Sequence, residues 1–159
     1  PATRFDEVLR AVALEISPLI AQRDLDFGIH TEPALVQSHE WMLRELSRNL
    51  LHNAVRHAPP GSELTVDLRS DAHHTALTIS DHGPGIPAAE LETIFQAFVQ
   101  SSKTSDGSGG TGLGLAICHK IMQAHSGRIY ATNAPQGGAQ FHLIVPTAQF
   151  TDTMPASLL

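Results

Sequence analysis

"LTVDLRSDAHHTALTISD", residues 64–81, decides the fold. Leu64, Val66 and Leu68 alternate with Thr65, Asp67 and Arg69, and after a polar break Leu77 and Ile79 alternate with Thr78 and Ser80. Successive side chains on an extended strand point to opposite faces, so this period of two predicts two adjacent, half-buried strands. A sheet with one apolar and one wet face needs helices on one side only.

The flanking sequence supplies those helices. Residues 4–22 carry Phe5, Val8, Leu9, Val12 and Ile16 at helical spacing, which predicts a first helical segment. Leu25, Phe27 and Ile29 alternate as in a short strand. Ser38 is placed to cap a second helix running to about Ala58, where Pro59-Pro60-Gly61 ends it. A short helix is expected over residues 88–95, then a polar stretch, "QSSKTSDGSGGTG" at 100–112. A third long helix is expected over 113–125, with Gly127 as its C-cap. Two last strands, "RIYATNA" (128–134) and "GAQFHLIVP" (138–146), flank a Pro-Gln-Gly-Gly turn. The expected class is α+β: a two-layer sandwich, with a mixed, mostly antiparallel sheet of about five strands covered on one face by three helices. Strictly alternating β-α units are absent, against a Rossmann fold, and no internal repeat is present. Residues 1–149 read as one domain and 150–159 as a tail.

Composition narrows the function. The chain has 159 residues, 42% of them hydrophobic and 16% charged, the balance of a globular protein. Its formal net charge is -6 and it shows no cluster of Lys and Arg, which argues against nucleic-acid partners. Its single Trp and single Tyr offer no stacking platform for single strands. One cysteine, Cys118, allows neither an internal disulfide nor a Cys-based zinc cage, and its apolar helical setting reads as packing. No apolar run approaches the roughly 20 residues that span a bilayer, so no membrane contact is expected of these residues. The abrupt start, "PATRFDEVLRAV", reads as a piece of a longer protein.

Three stretches carry chemistry. In "ELSRNLLHNAVRHAP", residues 45–59, Leu43, Leu46, Leu50 and Ala54 make the apolar face, while Glu45, Asn49 and Asn53 stack at i, i+4 and i+8, with Arg56 continuing the stripe. Such a stripe is often only a solvated face. Asn, however, is a mediocre residue inside a helix, and an amide oxygen is a hard ligand suited to Mg²⁺. In "DHGPGIP", residues 81–87, Asp81 ends a strand and can only accept hydrogen bonds when ionised, as from the exocyclic amine of adenine. Gly85 lets a flat base approach the backbone, although an ordinary turn has the same composition. In "DGSGGTGLGLAICHKIM", residues 106–122, five glycines precede a helical pattern. Loop amides and a helix N-terminus attract anions, and Gly110, Gly112 and Gly114 remove side chains where phosphates approach. The Walker spacing is not matched, so this is a phosphate cradle of another kind or a flexible linker. The polar residues before it, 96–111, have the length of a functional lid.

Together these stretches resemble one family, the ATP-binding domain of sensor histidine kinases, within the group that includes the gyrase and Hsp90 ATPases. "ELSRNLLHNAVRH" resembles its N box, "DHGPGIP" its first glycine box, "IFQAF" (94–98) its F box and "GGTGLGLAI" (109–117) its second glycine box. "GGAQFHLIVP" resembles its final strand. The resemblance implies that Asn53 binds Mg²⁺, Asn49 lies beside the phosphates and Arg56 neutralises them. Glu45 takes the acidic position that acts as general base in related ATPases, and His57 flanks the nucleotide. Asp81 accepts from adenine, with Gly83, Gly85 and Ile86 shaping the pocket. Phe95 and Phe98 anchor the lid, Lys103 reaches toward the γ-phosphate, and Gly110, Thr111, Gly112, Leu113 and Gly114 line the phosphates.

The resemblance also implies partners: ATP, a histidine-bearing dimerisation domain of the same parent, and a response regulator. It implies a cytoplasmic domain of an inner-membrane sensor, monomeric as this piece. "HEWMLREL" at His39 lacks the proline that follows a phosphoacceptor histidine, and it opens the N-box helix, so His39 is rejected as the acceptor. The other histidines are scattered, without HExxH spacing, which argues against a transition-metal site. Two other readings share this pattern: a serine kinase of the anti-sigma type, and a catalytically inactive module that binds nucleotide or a partner protein.

Overall fold

The computed structural model describes residues 1–95 and 114–149. Five strands form one sheet: β2 (Asp26–Thr31), β4 (Glu63–Ser70), β5 (His74–Asp81), β6 (Arg128–Asn133) and β7 (Ala139–Pro146), in the order β2-β4-β5-β7-β6. β2 runs parallel to β4, and every other neighbour pair is antiparallel. The helices α1 (Phe5–Glu15), α3 (Glu40–His57) and α4 (Gly114–Ala124) share one core with the sheet's apolar face. Leu64, Val66, Leu68, Leu77 and Ile79 all point into that core, while Thr65, Asp67, Thr78 and Ser80 stay partly exposed on the other face. The two-layer architecture is the one expected.

Helix α3 is the keel. Leu43, Leu46, Leu50, Leu51, Ala54 and Val55 are buried along it, and each large aliphatic side chain taken from water contributes about 1.5–3 kcal/mol. Arg48 forks onto Glu15 at 2.9 and 2.8 Å, joining α3 to α1 on the exposed side. Among the described residues no helix is long and apolar enough to cross a membrane.

Five local expectations need correction. The first helical segment is two helices, α1 and α2 (Ser17–Gln22), broken at Ile16. Pro18 explains the break: it has no N–H to donate, and in a continuous helix its ring clashes with the carbonyl four residues back. Arg4 lies in a strand, β1 (Ala2–Arg4), which pairs with β3 (Leu35–Gln37) in a separate two-stranded sheet. Ser38 does not cap α3. The N-cap is His39, and the Ser38 hydroxyl meets His125 Nε2 at 2.6 Å instead. Residues 88–95 are a single 3₁₀ turn, Ala88–Glu90, followed by turns. At the end of α4 the left-handed residue is Ser126 (φ 57°), with Ser126 N–H donating to Gln123 O and Gly127 N–H to Met122 O. That is a Schellman ending with Gly127 one place later than expected. A Cβ on Gly127 would meet the Ile144 carbonyl at 2.7 Å, so close approach is what selects glycine there.

Candidate functional site

The polar stripe of α3 comes up against the start of α4 at Asn49, and the chain just beyond α3 reaches the first glycine loop at Pro59. Asn49 Nδ2 donates to the Glu45 carbonyl at 2.8 Å and to Glu45 Oε1 at 3.2 Å. With its N–H₂ group turned back along α3, the amide oxygen of Asn49 faces α4. A Cβ on Gly114 would lie 3.1 Å from Asn49 Oδ1. The first residue of α4 is therefore a glycine where the helix start comes up against the polar stripe of α3. At the far end of α3, Pro59 lies against the other glycine loop, 3.3 Å from a Cβ placed on Gly83.

Asp81 is held from both sides. Its Oδ1 accepts from Gly83 N–H and Ala139 N–H, each at 2.9 Å. Among the described residues no donor reaches its second oxygen, Oδ2. Gly85 has φ 81°, a left-handed conformation natural to glycine, and a Cβ there would meet Asn133 Oδ1 at 2.8 Å. Glycine at 85 thus serves the loop's own packing, beyond the base approach expected of it. Ile86 is buried.

The family model described as "Histidine kinase-, DNA gyrase B-, and HSP90-like ATPase" matches residues 39–149, which contain all of these elements. The chain belongs to this ATPase family. It is 38% identical over 112 residues to the adaptive-response sensory kinase SasA of Microcystis aeruginosa, covering 70% of this chain and 29% of that protein. It is 31% identical over 155 residues to the sensor protein kinase PmrB of Pseudomonas aeruginosa, covering 97% of this chain and 31% of that one. The chain thus spans about a third of the length of these curated relatives. Among solved structures, the mycobacterial sensor histidine kinase MprB superposes with a TM-score of 0.83 at 29% identity, over 94% of this chain and all of that one. The fold is that of histidine kinase catalytic domains, the Bergerat fold, and the family's nucleotide is ATP.

Within this ATPase domain the remaining expected residues fall as follows. Asn53 stands one turn beyond Asn49 on α3, partly buried. Arg56 and His57 form its last turn, also partly buried, just before the Pro59 contact with the Gly83 loop. Phe95 is buried, edge-on to Phe141 (6.2 Å) and stacked on His119 of α4 (6.4 Å), so it is anchored in the core between α4 and β7. Phe98, Lys103, Gly110, Thr111, Gly112 and Leu113, and the expected lid at 96–111, lie outside the described residues.

The site also uses residues that sequence reasoning passed over. Ala139 supplies a backbone donor to Asp81. Asn133, the last residue of β6, donates from Nδ2 to the Ile86 carbonyl at 2.7 Å and accepts from Ile86 N–H at 2.8 Å. The resemblance of "GGAQFHLIVP" to a final strand was the one signal near them. Cys118 is fully buried in α4, where burial pushes its thiol up to about 12, so the group is packing, as read from the sequence.

Proposed function

We propose that this chain is the catalytic, ATP-binding domain of a bacterial two-component sensor histidine kinase, holding ATP with Mg²⁺ and presenting the γ-phosphate to a histidine on a separate dimerisation domain. The observation that carries the reading is the contact of Asn49 with Gly114, where the N-box stripe reaches the helix that follows the second glycine run. The donor set suits the metal. Asn53, partly buried one turn beyond Asn49 on α3, offers an amide oxygen, a hard ligand that leaves room for phosphate and water. Mg²⁺, when bound, supplies charge neutralisation on the phosphates.

In this reading Asn53 holds the metal, Asn49 orients the phosphates and Arg56 offsets their charge. His57 flanks the nucleotide. Asp81 accepts from the adenine amine through the oxygen left over by Gly83 and Ala139, beside Gly85 and Ile86. A ring nitrogen of the partner histidine forms the new bond to the γ-phosphorus, the bond to the β–γ bridging oxygen breaks, and ADP leaves. Glu45, exposed beside Asn49, is the carboxylate available for the proton the ring loses. Positioning and charge neutralisation carry most of such a transfer. The domain works in the cytosol, and a response regulator takes the phosphoryl group onward.

The test incubates the chain with γ-labelled ATP and Mg²⁺, alone and with a separately made histidine-bearing dimerisation domain. Acid-labile label is expected on the dimerisation domain and none on the chain itself. Label on a serine of an added protein would favour the anti-sigma type, and absence of any transfer together with intact ATP binding would favour the inactive module.

A further inference from the structure

We infer that Asn133, outside every motif of the nucleotide site, is a positioning residue for it: the β6–β7 hairpin acts as a clip that fixes the 81–86 loop at both ends. At one end, the Ala139 N–H holds Asp81 Oδ1 at 2.9 Å. At the other, the Asn133 side chain pairs with both polar groups of Ile86, at 2.8 and 2.7 Å. The Asn amide copies one rung of a β-ladder and satisfies a backbone N–H and C=O that the loop cannot pair by itself.

Both anchors belong to one short unit. Asn133 and Ala139 face each other in the β6–β7 register, and the turn between them closes through Ala134 N–H to Gly138 O (2.9 Å) and Gly137 N–H to Ala134 O (3.0 Å). Four residues, His82 to Gly85, lie between the fixed points, two of them glycines. Without the clip those glycines leave the loop free to move, and a base would have to order it on binding. With the clip, the direction of the free Asp81 oxygen is set beforehand, which is preorganisation. The consequence for nucleotide choice rests on the adenine role proposed for Asp81: Asn133 sharpens the preference for a base that carries an amine at that position, although it never touches the base.

The experiment compares the chain with its Asn133→Ala and Asn133→Asp variants. Asn133→Asp keeps the size and the acceptor but sets an oxygen against the Ile86 carbonyl. Calorimetry with a non-hydrolysable ATP analogue and with its guanine counterpart gives the selectivity, and amide exchange at Ile86 in the nucleotide-free chain gives the clip directly. Asp71→Ala is the control for plain loss of stability. Asp71 Oδ1 accepts from His73 and His74 N–H in the β4–β5 turn, away from the site. Both Asn133 variants are expected to bind the ATP analogue about tenfold more weakly, to lose adenine-over-guanine selectivity, and to exchange the Ile86 amide quickly. Asp71→Ala should keep both affinity and selectivity. Unchanged Ile86 exchange in both variants overturns the clip. Fast exchange with unchanged selectivity overturns its role in positioning. Failure of the unaltered chain to bind ATP overturns the nucleotide reading instead, and the exchange data still decide whether the clip exists.

Discussion

Gly138 lies so close to Asp81 that a methyl group on its α-carbon would overlap the Asp81 carbonyl oxygen. Gly138 also holds φ 90°, where side chains are strained, whereas its neighbour Gly137 (φ 106°) has open space around it. The two positions separate backbone strain from collision. Gly137→Ala should cost about 1–3 kcal/mol from strain alone, and Gly138→Ala a further amount on the order of 1–3 kcal/mol because the β7 start must move away from Asp81. Urea unfolding of the two variants measures the difference, and equal losses would remove the Asp81 contact as the reason for glycine at 138.

Asp81→Asn keeps one oxygen to accept from Gly83 and Ala139 but puts a donor where the second oxygen was. If that oxygen receives the adenine amine, ATP binding should weaken by about 1.5–3 kcal/mol, with a much smaller loss for GTP. Calorimetry decides it. Equal losses for the two nucleotides would show that Asp81 only braces the loop.

Much of this was legible because it is local. The stripe Glu45–Asn49–Asn53 follows from helical spacing alone, and the buried set Leu43, Leu46, Leu50 and Ala54 matches the expected apolar face. Strand alternation gave the two faces of the sheet. What stayed hidden joins residues distant in the chain. Ser38 reads as a cap beside the helix it precedes, but His125, 87 residues later, takes its hydroxyl. Asn133 reads as the polar end of a strand, and only the fold brings it to Ile86, 47 residues away. β1 and β3 are three residues each, too short for alternation to register, and their pairing depends on the chain's return through α1 and β2.

Cys118 gives a prediction for alkaline pH. Its thiol has an ordinary value of 9.0 and is pushed up to about 12 by burial in the folded chain. An acid whose folded value is raised adds stability in full below the unfolded value, and that stability is lost as pH rises through the window above it. The chain should therefore lose stability from about pH 9 toward 12 partly through this group, and Cys118→Ala should flatten that part of the profile while costing about 1–2 kcal/mol at neutral pH. Maleimide should label Cys118 slowly in the native chain and fast in denaturant. Fast native labelling would contradict the burial.

Asn53 carries the last prediction, which separates the metal from the base. It sits one turn beyond Asn49 on α3, while Asp81 ends β5, and the proposed function gives the metal to the first and the adenine amine to the second. Mg²⁺ takes few protein ligands and fills its octahedron with phosphate oxygens and water, so the loss of one amide oxygen should be felt mainly when metal is present. Asn53→Ala is expected to bind ATP in EDTA as the unaltered chain does, and to lose most of the gain in affinity that Mg²⁺ brings. It should keep the adenine-over-guanine preference, which Asp81→Asn should lose. Transfer of label to an added dimerisation domain should fall with the Mg²⁺-dependent affinity. Asn49→Ala provides the contrast, because its side chain is already engaged with Glu45 and faces Gly114, so its removal should slow transfer more than it weakens the metal-dependent gain. A titration in which Asn53→Ala shows the full Mg²⁺ gain would take Asn53 out of the metal site.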